Sequence, residues 1–332
     1  MSGPEVYMPA GWTPDHVELA AVARKYLASA DAGRRQTAAL GWYGIGMDED
    51  LGGAGGSFAD LAPVLEACGE VRADSDLGWT AGVALAVLTA AESSDAVTCA
   101  VERIVRGDAE VALAVDDPLA AADENEVLAT GSPEADYLLL PIHSPGGGVS
   151  AAFVSREKGL LSSTAMAAFD PTRPLTVHMV DRSAAVPLTG VGLVDIWRRR
   201  RAVVIALDAI GTARGALQAT VDYARTREQF GTTIGSFQAF QHRCASAYVS
   251  FKAAQALAYE AARRPDDECT CFAAAMEATR VATLVCGEAV QLHGGVGFTW
   301  EFGIGSALRR ARADELMVQG NLTELARIHR GR

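Results

Sequence analysis

The stretch Gln291-Leu292-His293-Gly294-Gly295-Val296-Gly297-Phe298 constrains this chain more than any other. It follows a long alanine-rich segment, Phe272 to Val290, patterned as a helix. Three glycines in four residues then end that helix. Glycine has no side chain to clash, so backbone N–H groups can approach a ligand closely here. Gln291 is the last polar side chain before the turn, and it can both donate and accept. Read alone, the stretch is equally a helix C-cap followed by a loop.

Upstream, Arg227-Glu228-Gln229-Phe230-Gly231 and Ile234-Gly235-Ser236-Phe237-Gln238 lie between two helical patterns. Arg227 offers a planar, permanently charged fork suited to a pyrophosphate. Phe230 offers an apolar face to a ring, and Gln229 and Gln238 add neutral donors. Together the two segments resemble the acyl-CoA dehydrogenase flavoprotein family. In that family an Arg-x-x-Phe-Gly loop and a Gln-x-x-Gly-Gly turn hold the FAD of a neighbouring subunit. The resemblance therefore implies FAD contacts at Arg227, Gln229, Phe230, Gln238, Gln291, Gly294 and Gly295. It covers nearly the whole chain, but its specific motifs are confined to residues 40–57, 227–238 and 291–298.

The 332 residues, 49% of them hydrophobic, suffice for a large core and one to three domains. A net charge of −12 argues against a nucleic-acid partner. Arg198 to Arg201, beside Trp197, read as a solvated or interface face at a helix start. The N-terminus has no basic segment followed by an apolar run, and the apolar stretch around Ala81 to Ala91 is too short to span a bilayer. No membrane association and a cytoplasmic location are expected. Six cysteines (68, 99, 244, 269, 271 and 286) match no zinc or redox spacing; on alanine-rich faces they read as small core residues.

The expected fold class is α+β, acyl-CoA dehydrogenase-like, in three parts. Residues 1–110 read as an N-terminal helical domain. Thr13 can cap a helix with Pro14 at its first position, and Ser57 or Asp60 restarts one after the glycine cluster 52–56. Residues 111–196 read as a shortened middle β domain with strands at 111–115, 137–142, 151–154 and 175–180. Residues 197–332 read as a C-terminal four-helix bundle, the tetramer core in the resembling family. Its first helix is expected from about Arg199 to Arg225, its second from Ser236 to about Arg263, and its third from Asp266 or Asp267. Asp208 breaks the apolar face of the first helix.

The middle segment departs from the family. Where the family carries Thr-Glu-Pro and then Gly-Ser, this chain has Asp116-Asp117-Pro118. The family's tryptophan segment against the isoalloxazine is missing between Val127 and Tyr137. The family's chemistry needs a carboxylate base for the proton next to a thioester. Family members place a glutamate in one of two positions. Here those positions hold Gln319 and Arg201, neither of which can take a proton near neutral pH. Glu301, Glu315 and Glu324 remain, and each reads first as a surface helix charge, Glu315 paired with Arg312 and Glu324 with Arg327. His293 reads as structural and His242 as packing or capping. No catalytic residue is assigned.

The grip on a neighbour's dinucleotide is intact while the chain's own flavin and base positions are altered. That contrast resembles the shorter, degenerate subunit of heterotetrameric, steroid-type actinobacterial acyl-CoA dehydrogenases. It implies an α2β2 complex with a homologous catalytic subunit, a shared FAD, a bulky acyl-CoA substrate and an electron-transferring flavoprotein as acceptor. A catalytic homotetramer and a flavin-free scaffold are the alternatives.

Overall fold

Thr13 opens the first helix as its sequence demands. Its hydroxyl accepts from the His16 N–H at 3.4 Å, and His16 Nδ1 accepts from the Thr13 N–H at 3.1 Å, closing a capping box on α1 (Pro14–Leu27). The computed structural model describes residues 12–29, 32–115, 125–143, 148–299 and 303–318. Asp116–Asp117, residues 144–147, Glu301, and everything from Gln319 onward, including Glu324 and Arg327, lie outside them.

α2 (Arg34–Ala39) and two short 3-10 turns lead to α3 (Phe58–Val71). The backbone N–H of Ser57 donates to Asp60 at 2.6 Å, so the expected restart is there. α4 (Leu77–Trp79) runs through a π-turn (Thr80–Ala84) into α5 (Leu85–Ala90), and α6 (Asp95–Val105) follows.

A seven-stranded mixed sheet comes next, in the order β5-β6-β2-β1-β3-β4-β7. β1 (Val111–Ala114), β3 (Tyr137–His143), β4 (Val149–Ser155) and β6 (Leu175–Val180) lie where the sequence predicts strands. β2 (Glu126–Thr130), β5 (Leu160–Met166) and β7 (Val186–Pro187) were not predicted. β5 is mostly exposed and serine-rich, so only its pairing with β6 makes it a strand. α7 (Arg156–Gly159) is a single turn before β5.

The bundle follows. α8 (Leu193–Thr226) begins at Leu193 rather than near Arg199, because Leu193 and Trp197 extend its buried stripe back to Gly192. α9 (Gln238–Arg263) starts after Ser236, whose hydroxyl donates to the Thr233 carbonyl at 2.7 Å instead of capping the helix. α10 (Glu268–His293) is capped by Asp267, which accepts from the Thr270 N–H at 3.2 Å. α11 (Ile304–Val318) completes the four. Arg198 lies over Phe272 at the starts of α8 and α10, and Tyr223 stacks on His293 at 4.5 Å at their ends, so these two helices run parallel. α9 runs against them, with Arg243 on Glu288 at 2.6 Å. α3 lies flush on α8: a Cβ at Gly211 would meet the Glu66 carbonyl at 2.0 Å, and one at Gly69 the Asp208 carbonyl at 2.0 Å. Nothing larger than glycine fits that crossing, and no ligand passes through it.

Two expectations about side chains are corrected. Arg198 to Arg201 are not a solvated face. Arg198 is buried over Phe272, Arg199 donates to the Pro265 carbonyl at 3.2 Å, Arg200 lies over Phe58, and Arg201 donates to the Met317 carbonyl at 3.2 Å. Of the cysteines, Cys68, Cys271 and Cys286 are core residues, whereas Cys99 and Cys269 are exposed.

Asp208, the exception on the α8 face, is the centre of a buried ion network. Arg310 binds it through two nitrogens, at 2.9 and 2.7 Å, and also donates to Thr172 and to the Ala73 carbonyl. Arg173 bridges Asp208 and Asp314. The network joins the bundle, the sheet and the N-terminal helices in one place. Burial disfavours the Asp208 charge, but Arg173 and Arg310 outweigh it and hold the carboxyl down to about 2. For Asp314 burial prevails, aided by Asp208 and opposed by Arg173, and pushes the carboxyl up to about 7. Its Oδ2 is buried with no hydrogen-bond partner among the described residues, and an anionic charge there would be left half unmatched. Because the folded state holds this proton more tightly than the unfolded chain, Asp314 favours folding below about pH 4 and loses that contribution as pH rises to about 7. Asp314→Asn, which cannot ionise, is expected to melt at a temperature that changes less between pH 5 and 8 than wild type does. Identical pH profiles in thermal melts would refute the assignment.

Candidate functional site

The residues singled out by the two sequence motifs lie at one end of the bundle. Arg227 ends α8, its N–H donating to the Tyr223 carbonyl at 2.9 Å. The chain then forms a tight hairpin, β8 (Glu228–Gln229) against β9 (Thr232–Thr233), with Phe230 and Gly231 at its tip. Both tip residues have positive φ, 54° and 81°. Such turns suit the twist of a hairpin, but they favour Asn-Gly, and an aromatic residue there is strained. The strained ring is 95% exposed and stands edge-on to Phe237, with ring centroids 6.3 Å apart. It contributes almost nothing to this chain's own core.

The Gly-rich turn lies beside this hairpin. Gly294 has φ 64° and ψ −144°, a conformation essentially reserved for glycine. Neither Gly294 nor Gly295 has an atom within 4 Å of its would-be Cβ, so space is open above both. His293 joins the two loops from beneath. It is buried, stacks on Tyr223, and its Nδ1–H donates to the Ala289 carbonyl at 2.8 Å, so its role is structural as expected. Gln238 opens α9 at the same end.

The seven residues are all exposed. Among the described residues the side chains of Arg227, Gln238 and Gln291 have no hydrogen-bond or ion-pair partner, and Gln229 donates only to the neighbouring Glu228 carbonyl. A fork of charge, three amides, an open glycine backbone and an exposed ring thus face outward together. Such donors have the chemistry to hold the pyrophosphate and adenosine half of a dinucleotide.

The chain's own flavin seat looks different. Where the resemblance expects a tryptophan segment, residues 131–136 form a turn fastened to protein. The Ser132 N–H donates to Glu110 at 2.9 Å, Arg156 donates to the Ala135 carbonyl at 2.9 Å, and Asp136 accepts from the Glu110 N–H at 2.9 Å. This turn presents no aromatic face.

Of the two positions where the resemblance puts a base, only Arg201 lies among the described residues. Arg201 reaches the C-terminal end of α11, two residues short of Gln319, and a guanidinium there can only donate. Glu315 is engaged by Arg312 at 2.6 Å and by Thr283 at 3.1 Å, the helix pairing its sequence predicts. His242 is exposed, so it is not a packing residue.

A cleft of about 400 Å³ between the N-terminal helices and the sheet was not legible in sequence. Its charges come from Arg34, Asp74, Asp76, Glu110 and Arg173, scattered along the chain. Arg34 is paired with Asp76 at 3.2 Å and Glu110 at 2.7 Å, and Tyr43 donates to Asp76 at 2.7 Å. Burial raises the Glu110 carboxyl, with Arg34 opposing. Asp74 alone among these acids has no hydrogen-bond or ion-pair partner among the described residues, and burial raises its carboxyl too. With three acids against two arginines, the cleft is poorly suited to the phosphates of a CoA ester.

Residues 199–321 match the family model of the acyl-CoA dehydrogenase C-terminal domain. The acyl-CoA dehydrogenase IpdE2 of Mycobacterium tuberculosis is 33% identical over 298 residues, covering 87% of this chain and 82% of that protein. Two solved structures share the fold. The ChsE4-ChsE5 complex from Mycobacterium tuberculosis has a TM-score of 0.79 at 23% identity, over 97% of this chain and 98% of that one. The Tcur3481-Tcur3483 steroid ACAD variant has a TM-score of 0.81 at 22% identity, over 96% of this chain and 98% of that one. On the strength of the IpdE2 match along most of both chains, and of the fold it shares, this chain belongs to the acyl-CoA dehydrogenase family.

Proposed function

We propose that this chain is the non-catalytic subunit of a heteromeric, FAD-dependent acyl-CoA dehydrogenase. It packs against a homologous catalytic subunit and supplies the adenosine and pyrophosphate contacts of that subunit's FAD. The carrying observation is the unengaged donor cluster at the end of α8, α9 and α10, set against an Arg201 that fills the base position. Bound FAD supplies the hydride acceptor for α,β-dehydrogenation of an acyl thioester. This chain's residues do simpler things. Arg227 neutralises phosphate charge, Gln229, Gln238 and Gln291 donate to oxygens, Gly294 and Gly295 let the backbone approach, and Phe230 covers a ring. The two-subunit dehydrogenases with this fold, one of them named for steroids, support an α2β2 assembly and a bulky acyl-CoA substrate. An electron-transferring flavoprotein is the acceptor this reading calls for.

A second reading, a self-sufficient enzyme, is favoured by one observation. Asp74 is an unpartnered carboxyl in the 400 Å³ cleft, held above the usual carboxylate range mainly by burial. It would make Asp74→Asn inactive in the chain purified alone.

Expression of the chain alone and with its partner separates these readings. Flavin is expected only in the complex, and a yellow, active enzyme from the single chain would refute the first reading. In the complex, Arg227→Ala is expected to lower flavin retention, and unchanged flavin content would count against the cross-subunit role. Phe230→Gly relieves the positive-φ strain, so it is expected to stabilise the isolated chain by about 0.5–1 kcal/mol while weakening flavin retention in the complex. Chemical denaturation and flavin absorbance read the two effects, and a loss of stability without loss of flavin would reverse the assignment.

A further inference from the structure

Arg200 differs from the arginines beside it. Among the described residues its guanidinium makes no salt bridge and no hydrogen bond; it lies over the face of Phe58, 4.0 Å from the ring centroid, with Asp266 near enough to act on its charge but not to pair with it. It is partly buried. Burial draws its pKa down to about 10, with Asp266 opposing, so it stays charged at neutral pH. Its nitrogens still reach water, so the fork has donors free for an anion arriving from solvent.

The space for that anion is present. A cavity of about 250 Å³ opens where the N-terminal helices meet the start of α8. Met47, Phe58, Ala86 and Ile196 give it apolar walls, and Arg199 and Arg200 give it positive charge. Arg199 is already held by the Pro265 carbonyl at 3.2 Å and by Asp266 at 3.4 Å, so the unused fork is that of Arg200. A flat fork matches the two oxygens of a planar carboxylate. One unpaired cation beside Asp266 also suits a monoanion better than a phosphate dianion. The volume admits a small molecule and not a peptide segment.

We propose that this cavity binds a small organic carboxylate, with its two oxygens on the Arg200 fork and its apolar body against Phe58, Met47 and Ile196. The site is distinct from the flavin-contact end of the bundle. Arg200 and Arg227 stand 27 residues apart on α8, roughly 40 Å along the helix axis. The proposal therefore stands or falls separately from the cross-subunit flavin role.

Calorimetric titration of the full chain with hexanoate, hexanol, acetate and hexyl phosphate tests it. Hexanoate is expected to bind more tightly than hexanol, which lacks the charge, and than acetate, which lacks the body. Arg200→Gln is expected to weaken hexanoate by about ten- to a hundredfold and to leave hexanol unchanged. Arg200→Lys keeps the charge but loses the fork, and is expected to weaken hexanoate less than Arg200→Gln does. It also serves as the test variant if the glutamine form does not fold. Hexanoate binding no tighter than hexanol, or equal in wild type and both variants, would overturn the site. Tighter binding of hexyl phosphate than of hexanoate would overturn the carboxylate assignment.

Discussion

The fold hinges on the grip of two arginines on Asp208. A carboxylate in the middle of a long apolar helix is costly unless its charge is matched in place. Arg310 comes from α11 and Arg173 from the loop before β6, so the match exists only when bundle and sheet are docked. Arg310 also reaches Thr172 and the Ala73 carbonyl, which brings in the N-terminal helices. Breaking one member would strand the others, so the parts are held in a single arrangement. The glycine contacts between α3 and α8 act with it, because they bring the backbones to a distance that tolerates no sliding side chain.

That rigidity gives the bundle two dissimilar ends. At the start of α8 the side chains turn inward: Arg198 covers Phe272, Arg199 holds the α9–α10 turn, and Arg201 closes on α11. At its finish they turn outward. Phe230 is held in a strained conformation with its ring in water, and neighbouring amides and a guanidinium have no internal partner. Folding alone gives no reason to keep an exposed aromatic ring at positive φ. Strain of this sort clusters at ligand and partner sites, which is the use that the proposed cross-subunit contact would give it.

The asymmetry between gripping and reacting follows from the same geometry. A base must be an ionisable group at the reacting carbon, and one substitution removes it. A dinucleotide contact such as the one proposed would be spread over several donors and open backbone, so it does not depend on any single reacting group. Arg201, which the proposed function reads as standing in the base position, has its guanidinium tied to the Met317 carbonyl at the end of α11.

The sequence by itself determined the helix starts at Thr13, at Ser57–Asp60 and at Asp266–Asp267, four of the strands, the family, and which residues stand at the two loops. Those are local properties, set by hydrogen bonds within a few residues or by patterns read along the chain. Only the tertiary structure decided what Asp208 is for, because its partners stand 35 and 102 residues away. It also decided that the Arg198–Arg201 run is internal, and that β5 is a strand at all. The cleft charges and the unpartnered Arg200 belong to the same class. Each depends on which distant groups arrive, or fail to arrive, beside a side chain, and one-dimensional spacing carries no record of that.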